Sequence, residues 1–302
     1  MSDSSSSVGI APPDYRLPEA IRLGRVQLQV ADLARSLAFY KDILGFRVLD
    51  HPAGRAVLGV EEEEGTSLVE LVERPGTQSV APRGRLGLFH VAFRLPDRAG
   101  LARFVRHLRK TDLQPGMSDH RVSEAVYLRD PDGLGIEVYA DRPRDTWAYS
   151  AEGEISMTTE PLDVASLLNA GGEEEWTEAP AGTAVGHVHL HVGDLDRASA
   201  FYHETLGFDR VVWSYPGALF LSAGGYHHHL GTNVWAGDVP PPGEDEAQLL
   251  EWTLVLPQSR PVDAVARSLD RAGYDVSESP EEDSVIVADP WGTTLRIAPA
   301  DG

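Results

Sequence analysis

"GRVQLQVADLARSLAFYKDILGFRVL" (Gly24–Leu49) returns later in the same chain as "GHVHLHVGDLDRASAFYHETLGFDRV" (Gly186–Val211). The offset is 162 residues (186 − 24), and half of the aligned positions are identical. A repeat of this length implies two similar structural units. In the second copy Val188, Leu190 and Val192 alternate with His187, His189 and His191. Period two puts the imidazoles on one face of a strand and the aliphatic side chains on the other. Asp194 then stands where an N-cap belongs, Ala198, Phe201, Tyr202 and Leu206 are spaced as one helix face, and Gly207 follows the last turn. Asp32 and Gly45 take those roles in the first copy.

Two weaker segments repeat the strand-helix order. "LFHVAFRLPDRAGLARFVRHL" starts at Leu88, with Leu101, Phe104, Val105 and Leu108 as a helical stripe. "HHLGTNVW", followed by "SRPVDAVARSLDRAGYDV", reads as the other, Ser259 and Pro261 suiting a helix start. Both halves end alike, in "YLRDPDGLGIEVY" from Tyr127 and "IVADPWGTTLRIA" from Ile286. Asp-Pro-x-Gly is a turn, and a short strand follows it. The chain therefore reads as an α+β protein of four βαβββ modules, starting near residues 24, 88, 186 and 229. The expected division is a disordered leader over 1–20, an N-terminal domain over 21–142, a linker with one short helix over 143–183, and a C-terminal domain over 184–300.

Composition narrows the function. The 302 residues carry a formal charge of −21. An acidic surface repels phosphate backbones, which argues against a nucleic-acid partner. There are no cysteines, so disulfides, thiolate metal sites and cysteine nucleophiles are excluded. The Ser- and Pro-rich start has no basic or apolar signal region, and no apolar run approaches spanning length. The expectation is a cytoplasmic protein with no membrane partner; a homo-oligomer is left open.

The strand-helix repeats, "GHVHLHVGDL", "AGGYHHHLGTNVWAG" and "SEAVYLRDPDGLGIEVYADRPRDTW" together resemble the vicinal oxygen chelate superfamily (glyoxalase I, bleomycin-resistance proteins, extradiol dioxygenases), and most closely its two-domain catechol 2,3-dioxygenase-like members. The resemblance covers nearly the whole chain after residue 20. It implies two glyoxalase-like domains with curled mixed sheets, whose paired modules form metal-binding cups. First-strand ligands in the family lie five residues before an apolar residue, a spacing that nominates His90, His187 and His229. The last-strand ligand lies four residues after the glycine of Asp-Pro-x-Gly, which gives Glu137 in one half and Arg296 in the other. Arg25 takes the first-strand place in module one, and arginine does not ligate.

Modules two and three together hold His90, Glu137 and His187, a complete triad, so the hypothesis is that they share the functional cup. The fallbacks are His187 with His229 and an unnamed third ligand, or an N-terminal cup of Glu70, His90 and Glu137. Two histidines and one carboxylate with open positions suit non-haem Fe(II), with Mn(II) or another divalent metal as alternates. His228, His227 and Tyr226 are the acid/base candidates, with His120 a further one. His189, His191, Asn233 and Arg296 are expected near substrate. The resemblance implies an extradiol ring-cleaving dioxygenase acting on a small aromatic diol with dioxygen. The alternatives are a non-catalytic small-molecule binder and a glyoxalase-type lyase or isomerase. The "AYSAEGEISMTTEPLD" stretch (Ala148–Asp163) is assigned no chemistry.

Overall fold

The structure is a computed structural model that describes residues 8–60, 66–81, 84–172, 174–279 and 283–300. Module one consists of β1 (Arg22–Val30), α1 (Leu33–Ala38), β2 (Arg47–Asp50), β3 (Arg55–Val60) and β4 (Thr66–Glu73). Module two consists of β5 (Gly87–Leu95), α2 (Arg98–Leu108), β6 (Gly116–Asp119), β7 (Ser123–Arg129) and β8 (Gly135–Asp141). Between the halves lie β9 (Glu160–Pro161) and α3 (Val164–Ala170). Module three is β10 (Ala184–His191), α4 (Leu195–Ala198), β11 (Asp209–Val212), β12 (Ala218–Ser222) and β13 (Leu230–Asn233). Module four is β14 (Gln248–Leu256), α5 (Ser259–Arg271), β15 (Val276–Glu278), β16 (Val285–Ala288) and β17 (Thr294–Pro299).

In every module the last strand returns parallel to the first. The expected start of module four at residue 229 is therefore corrected. "HHLGTNVW" contains β13, the closing strand of module three, and module four opens at Gln248. The cause is burial: β14 (QLLEWTLVL) is covered on both faces and shows no clean alternation to advertise a first strand.

The helix signals act as the sequence suggests. The Asp32 and Asp194 carboxylates accept the N–H of Arg35 and Arg197, satisfying donors that a helix start leaves free. In both copies the helix then widens into a π-helical turn carrying the Phe-Tyr pair, over Phe39–Ile43 and Ser199–Thr205. Gly45 and Gly207 follow with φ of 75° and 101°, where an L side chain would be strained. Tyr40 and Tyr202 then reach the aspartates of the two Asp-Pro-x-Gly turns, Asp130 and Asp289.

First strands pair antiparallel across the halves. One sheet has the order β15-β16-β17-β14-β1-β4-β3-β2, and the other β11-β12-β13-β10-β5-β8-β7-β6-β9. Module one thus pairs with module four, and module two with module three. The apolar faces of the four first strands (Val26 and Leu28, Val91 and Phe93, Val188 and Leu190, Trp252 and Leu254) belong to one buried cluster. Burying such side chains contributes about 1.5–3 kcal/mol each. Their opposite faces line the two cups.

Residues 8–20, expected as leader without structure, lie along the edge of the second sheet. Ile10 forms a two-way backbone bridge with Arg210, and the Arg16 guanidinium grips Asp209 at 2.8 and 2.7 Å. A bare edge strand such as β11 otherwise exposes unpaired N–H and C=O groups, which is the physical reason for the cover. Residues 1–7 of that leader lie outside the described residues. On the opposite edge β9 adds to β6, so part of the expected linker is built into the sheet.

Candidate metal centre

His90 lies on β5, His187 on β10 and Glu137 on β8, three neighbouring strands of the second sheet. The register sets His187 opposite Ala92, and Ala92 opposite Glu137. Residues directly opposite share a face, and His90, two residues from Ala92, shares it too. A single methyl group at Ala92 leaves space for the flanking side chains to lean together over it. His90 Nε2 lies 2.9 Å and His187 Nε2 3.1 Å from Glu137 Oε2, and the two nitrogens are 3.2 Å apart. Glu137 is not far from His187, the separation that would have removed the shared-cup hypothesis.

All three residues are buried. Burial alone would raise the Glu137 carboxyl, but His187 and His90 beside it hold it well below the usual carboxylate range. Burial pushes His187 down to about 4 against the pull of Glu137. The site is thus a buried anion flanked by imidazole nitrogens, an arrangement that calls for a cation. A divalent ion fits it: donors set at right angles about 2.1 Å from an ion lie about 3.0 Å apart.

His229 is not brought to this cluster. It precedes β13, its Nδ1 accepts from the Ser222 hydroxyl at 3.0 Å, and its ring borders a cleft lined also by Arg94, Arg144 and Tyr226. The spacing that nominated it belongs to first strands, and β13 is a last strand. Counted five before Leu256 on the true first strand β14, the spacing selects Glu251.

The other sheet shows what became of its cup. Arg25, Glu70, Glu251 and Arg296 hold the matching register positions there. Arg296 clamps Glu251 at 2.7 and 3.2 Å, and Glu70 accepts from Arg55 at 2.9 Å and faces Arg25 at 3.3 Å. Arg296 is therefore removed from the expected substrate contacts, and Glu70 from the fallback cup. Arg296 is matched by Glu251, and Glu70 by Arg55 and Arg25, on a different sheet from His90.

A cavity of about 250 Å³ opens onto the triad. Phe89, Tyr215, Phe220, Trp235, Met157 and His189 form its walls, Tyr127, His120, His228, Ser118, Ser123 and Thr159 are polar groups on it, and among the described residues its lining includes no lysine or arginine. The Tyr127 phenol is held well above its ordinary range by burial and then by the Glu137 carboxylate, so it keeps its proton. The Thr158 carbonyl can only accept, so His120 Nδ1 donates to it at 2.7 Å, and His120 Nε2 lies 2.6 Å from the Tyr127 hydroxyl. The His228 ring lies tilted against His187, 4.0 Å between ring centroids, and is kept neutral by burial and by the surrounding imidazoles.

Of the three consecutive histidines only His228 lines the cavity. His227 is fully enclosed behind it, and Tyr226 faces the cleft on the far side, so neither touches a molecule in the cavity. His189 lines the wall; Asn233 donates to it at 2.9 Å and accepts from His191 at 2.7 Å, so Asn233 and His191 support it from behind. Tyr127 was open to discovery in the sequence: the hairpin closed by Asp-Pro-Asp-Gly sets it opposite Glu137. The stretch given no chemistry supplies Met157, Thr159 and the Thr158 carbonyl, and nothing in its composition announces this.

The fold and site define a class, and the chain belongs to it: the glyoxalase/bleomycin resistance protein/dioxygenase superfamily, whose model matches residues 22–138 and 184–297. Among individual proteins, the chain is 44% identical over 275 residues to the catechol-2,3-dioxygenase of Bacillus subtilis (strain 168), covering 90% of this chain and 95% of that protein. At the level of fold it matches a solved Bacillus subtilis structure with TM-score 0.65 at 13% identity, over 95% of this chain and 87% of the other. Glyoxalase I from Zea mays matches with TM-score 0.54 at 18% identity, over 92% of each chain.

Proposed function

We propose that this protein is a metal-dependent extradiol ring-cleaving dioxygenase acting on a catecholic substrate, with His90, Glu137 and His187 as ligands and Fe(II) as the metal. The observation that carries the reading is the buried two-histidine, one-carboxylate triad facing an aromatic cavity. The 44% identity to a catechol-2,3-dioxygenase supports it. When bound, the metal would be held by His90, Glu137 and His187 and would supply Lewis acidity toward the diol and the redox activity that dioxygen chemistry requires.

The remaining work falls to this chain's own side chains. The aromatic walls hold the ring and exclude water. Neutral His228 accepts a phenolic proton, and Tyr127, still protonated, donates a hydrogen bond to an oxygen that gains charge. Both atoms of dioxygen enter the product, so catechol and dioxygen combine without loss as the ring opens beside the diol. A glyoxalase-type reaction is disfavoured because Glu70, the second carboxylate it would use, lies in the other sheet. The test is anaerobic Fe(II) loading followed by oxygen uptake with catechol. Stoichiometric iron and a yellow ring-opened product support the proposal; stoichiometric metal without oxygen uptake defeats it.

A further inference from the structure

His228 can serve as a base only if its cavity-facing nitrogen carries no proton, and the structure shows what decides that. Asp141, at the end of β8, accepts from His227 Nε2 at 2.8 Å. His227 Nδ1 lies 2.8 Å from His228 Nδ1. A carboxylate accepts and does not donate, so His227 carries its proton on Nε2. With only that proton on His227, its Nδ1 is an acceptor, and the proton between the two rings belongs to His228 Nδ1. That leaves His228 Nε2, on the other edge of the ring, as a lone pair.

We infer that Asp141 is a positioning residue: acting through His227, it fixes the tautomer of His228 and so keeps His228 Nε2 free to accept a proton. The link to catalysis rests on the dioxygenase reading; the tautomer itself does not. The surroundings of Asp141 fit the task. The Tyr226 hydroxyl donates to its oxygens at 3.1 and 3.2 Å, Tyr139 bonds Tyr226 at 2.7 Å, and Arg94 stands 3.6 Å away. Burial would raise the Asp141 carboxyl, but the hydrogen bond from His227, then Arg94 and the Tyr226 hydroxyl, bring it below its usual range. The side chain also keeps 26% of its exposure, next to the Tyr226 and Arg94 that line the far cleft. A small carboxylate from solvent can therefore reach the place it occupies.

The test reads the tautomer directly. Long-range proton–nitrogen correlation spectra of ¹⁵N-histidine-labelled full-length protein, with Zn(II) as a diamagnetic occupant, distinguish the two nitrogens of each ring. Wild type is expected to show His228 protonated on Nδ1, and Asp141→Ala to lose that preference. Asp141→Ala should also lower kcat about 100-fold, the scale of general-base catalysis, with KM and bound iron unchanged. Formate should restore kcat in Asp141→Ala but not in His227→Phe, which lacks the intermediate ring. A wild-type His228 protonated on Nε2 overturns the inference, even if Asp141→Ala fails to fold. So does an Asp141→Ala enzyme with wild-type kcat, or one whose loss formate does not repair. Absence of oxygen uptake by wild type would sink the dioxygenase reading instead, and leave the spectrum to decide the tautomer.

Discussion

Replacing Gly231 with alanine should injure the site without touching a proposed ligand. Gly231 lies opposite His189, at the register position in module three that Glu137 holds in module two. A Cβ there would sit 2.8 Å from His189 Cγ and 2.9 Å from both Cδ2 and Nδ1. Real Cβ contacts that short do not persist, so the ring or the strand must move. The ring has little freedom, being bonded to Asn233 at 2.9 Å and packed against Phe89, Phe220 and Trp235. Overpacking of this kind costs about 1–3 kcal/mol. In a protein of this size that lowers Tm by roughly 2 °C per kcal/mol. His189 lines the cavity, so a displaced ring changes the space for substrate, and KM for catechol should rise while bound metal stays stoichiometric. Calorimetry, metal analysis and steady-state kinetics measure the three effects. In a His189→Ala background the clash partner is gone, and the same glycine substitution should be nearly neutral. An unchanged Tm and KM in Gly231→Ala, or an equal cost in both backgrounds, would refute the reasoning.

Glu137→Gln keeps the shape of the side chain and removes its charge; metal affinity should fall at least about 100-fold, beyond what outer-shell changes typically cause, as equilibrium dialysis would show. The metal-induced rise in Tm should vanish with it. Arg296→Met leaves Glu251 buried without its bidentate partner, which should cost about 3–5 kcal/mol in urea unfolding with the bound metal unchanged. Asp130 is pushed up to about 7, chiefly by burial and against the N–H bonds it accepts. Its folded pKa lies above its unfolded value, so its stability contribution is full below about pH 4 and lost as pH rises through about 7. Asp130→Asn has no such loss, and its urea midpoint should improve relative to wild type across that window; a pH-independent difference would exclude this account.

The modules were legible because their signals are local: a period-two strand, an aspartate cap, a Phe-Tyr helix face and a glycine stop. The pairing of modules is not local. β1 meets β14 through contacts such as Val26 with Trp252, and no short-range pattern encodes which distant strand will be the partner. It could be inferred only through chemistry, because His90, Glu137 and His187 complete a triad if modules two and three meet. His229 misled for a related reason. Its spacing to Val234 is right, but spacing does not distinguish a first strand from a last one. Asp141 and the Ala148–Asp163 stretch were invisible because each acts through a residue or backbone atom far away in sequence.

The two cups pose one electrostatic problem and answer it in opposite ways. Both set carboxylates among strands where burial makes an unpaired charge cost several kcal/mol. In the sheet of modules one and four, the cations are built in: Arg25, Arg55 and Arg296 meet Glu70 and Glu251. In the sheet of modules two and three, Glu137 faces the imidazoles of His90 and His187, and burial drives His187 toward the neutral form. Among the described residues no lysine or arginine lines the cavity beside that triad, and an exogenous cation is the means of balancing its charge. Gly231 takes the fourth position there, so the register that supplies Arg296 in one sheet supplies space in the other, filled by the ring of His189. Metal should therefore stabilise the second sheet and leave the first indifferent. Hydrogen exchange with and without metal should show added protection in β5, β8 and β10 and none in β1, β4 and β14; equal protection of both sheets would mean that the cups are not independent.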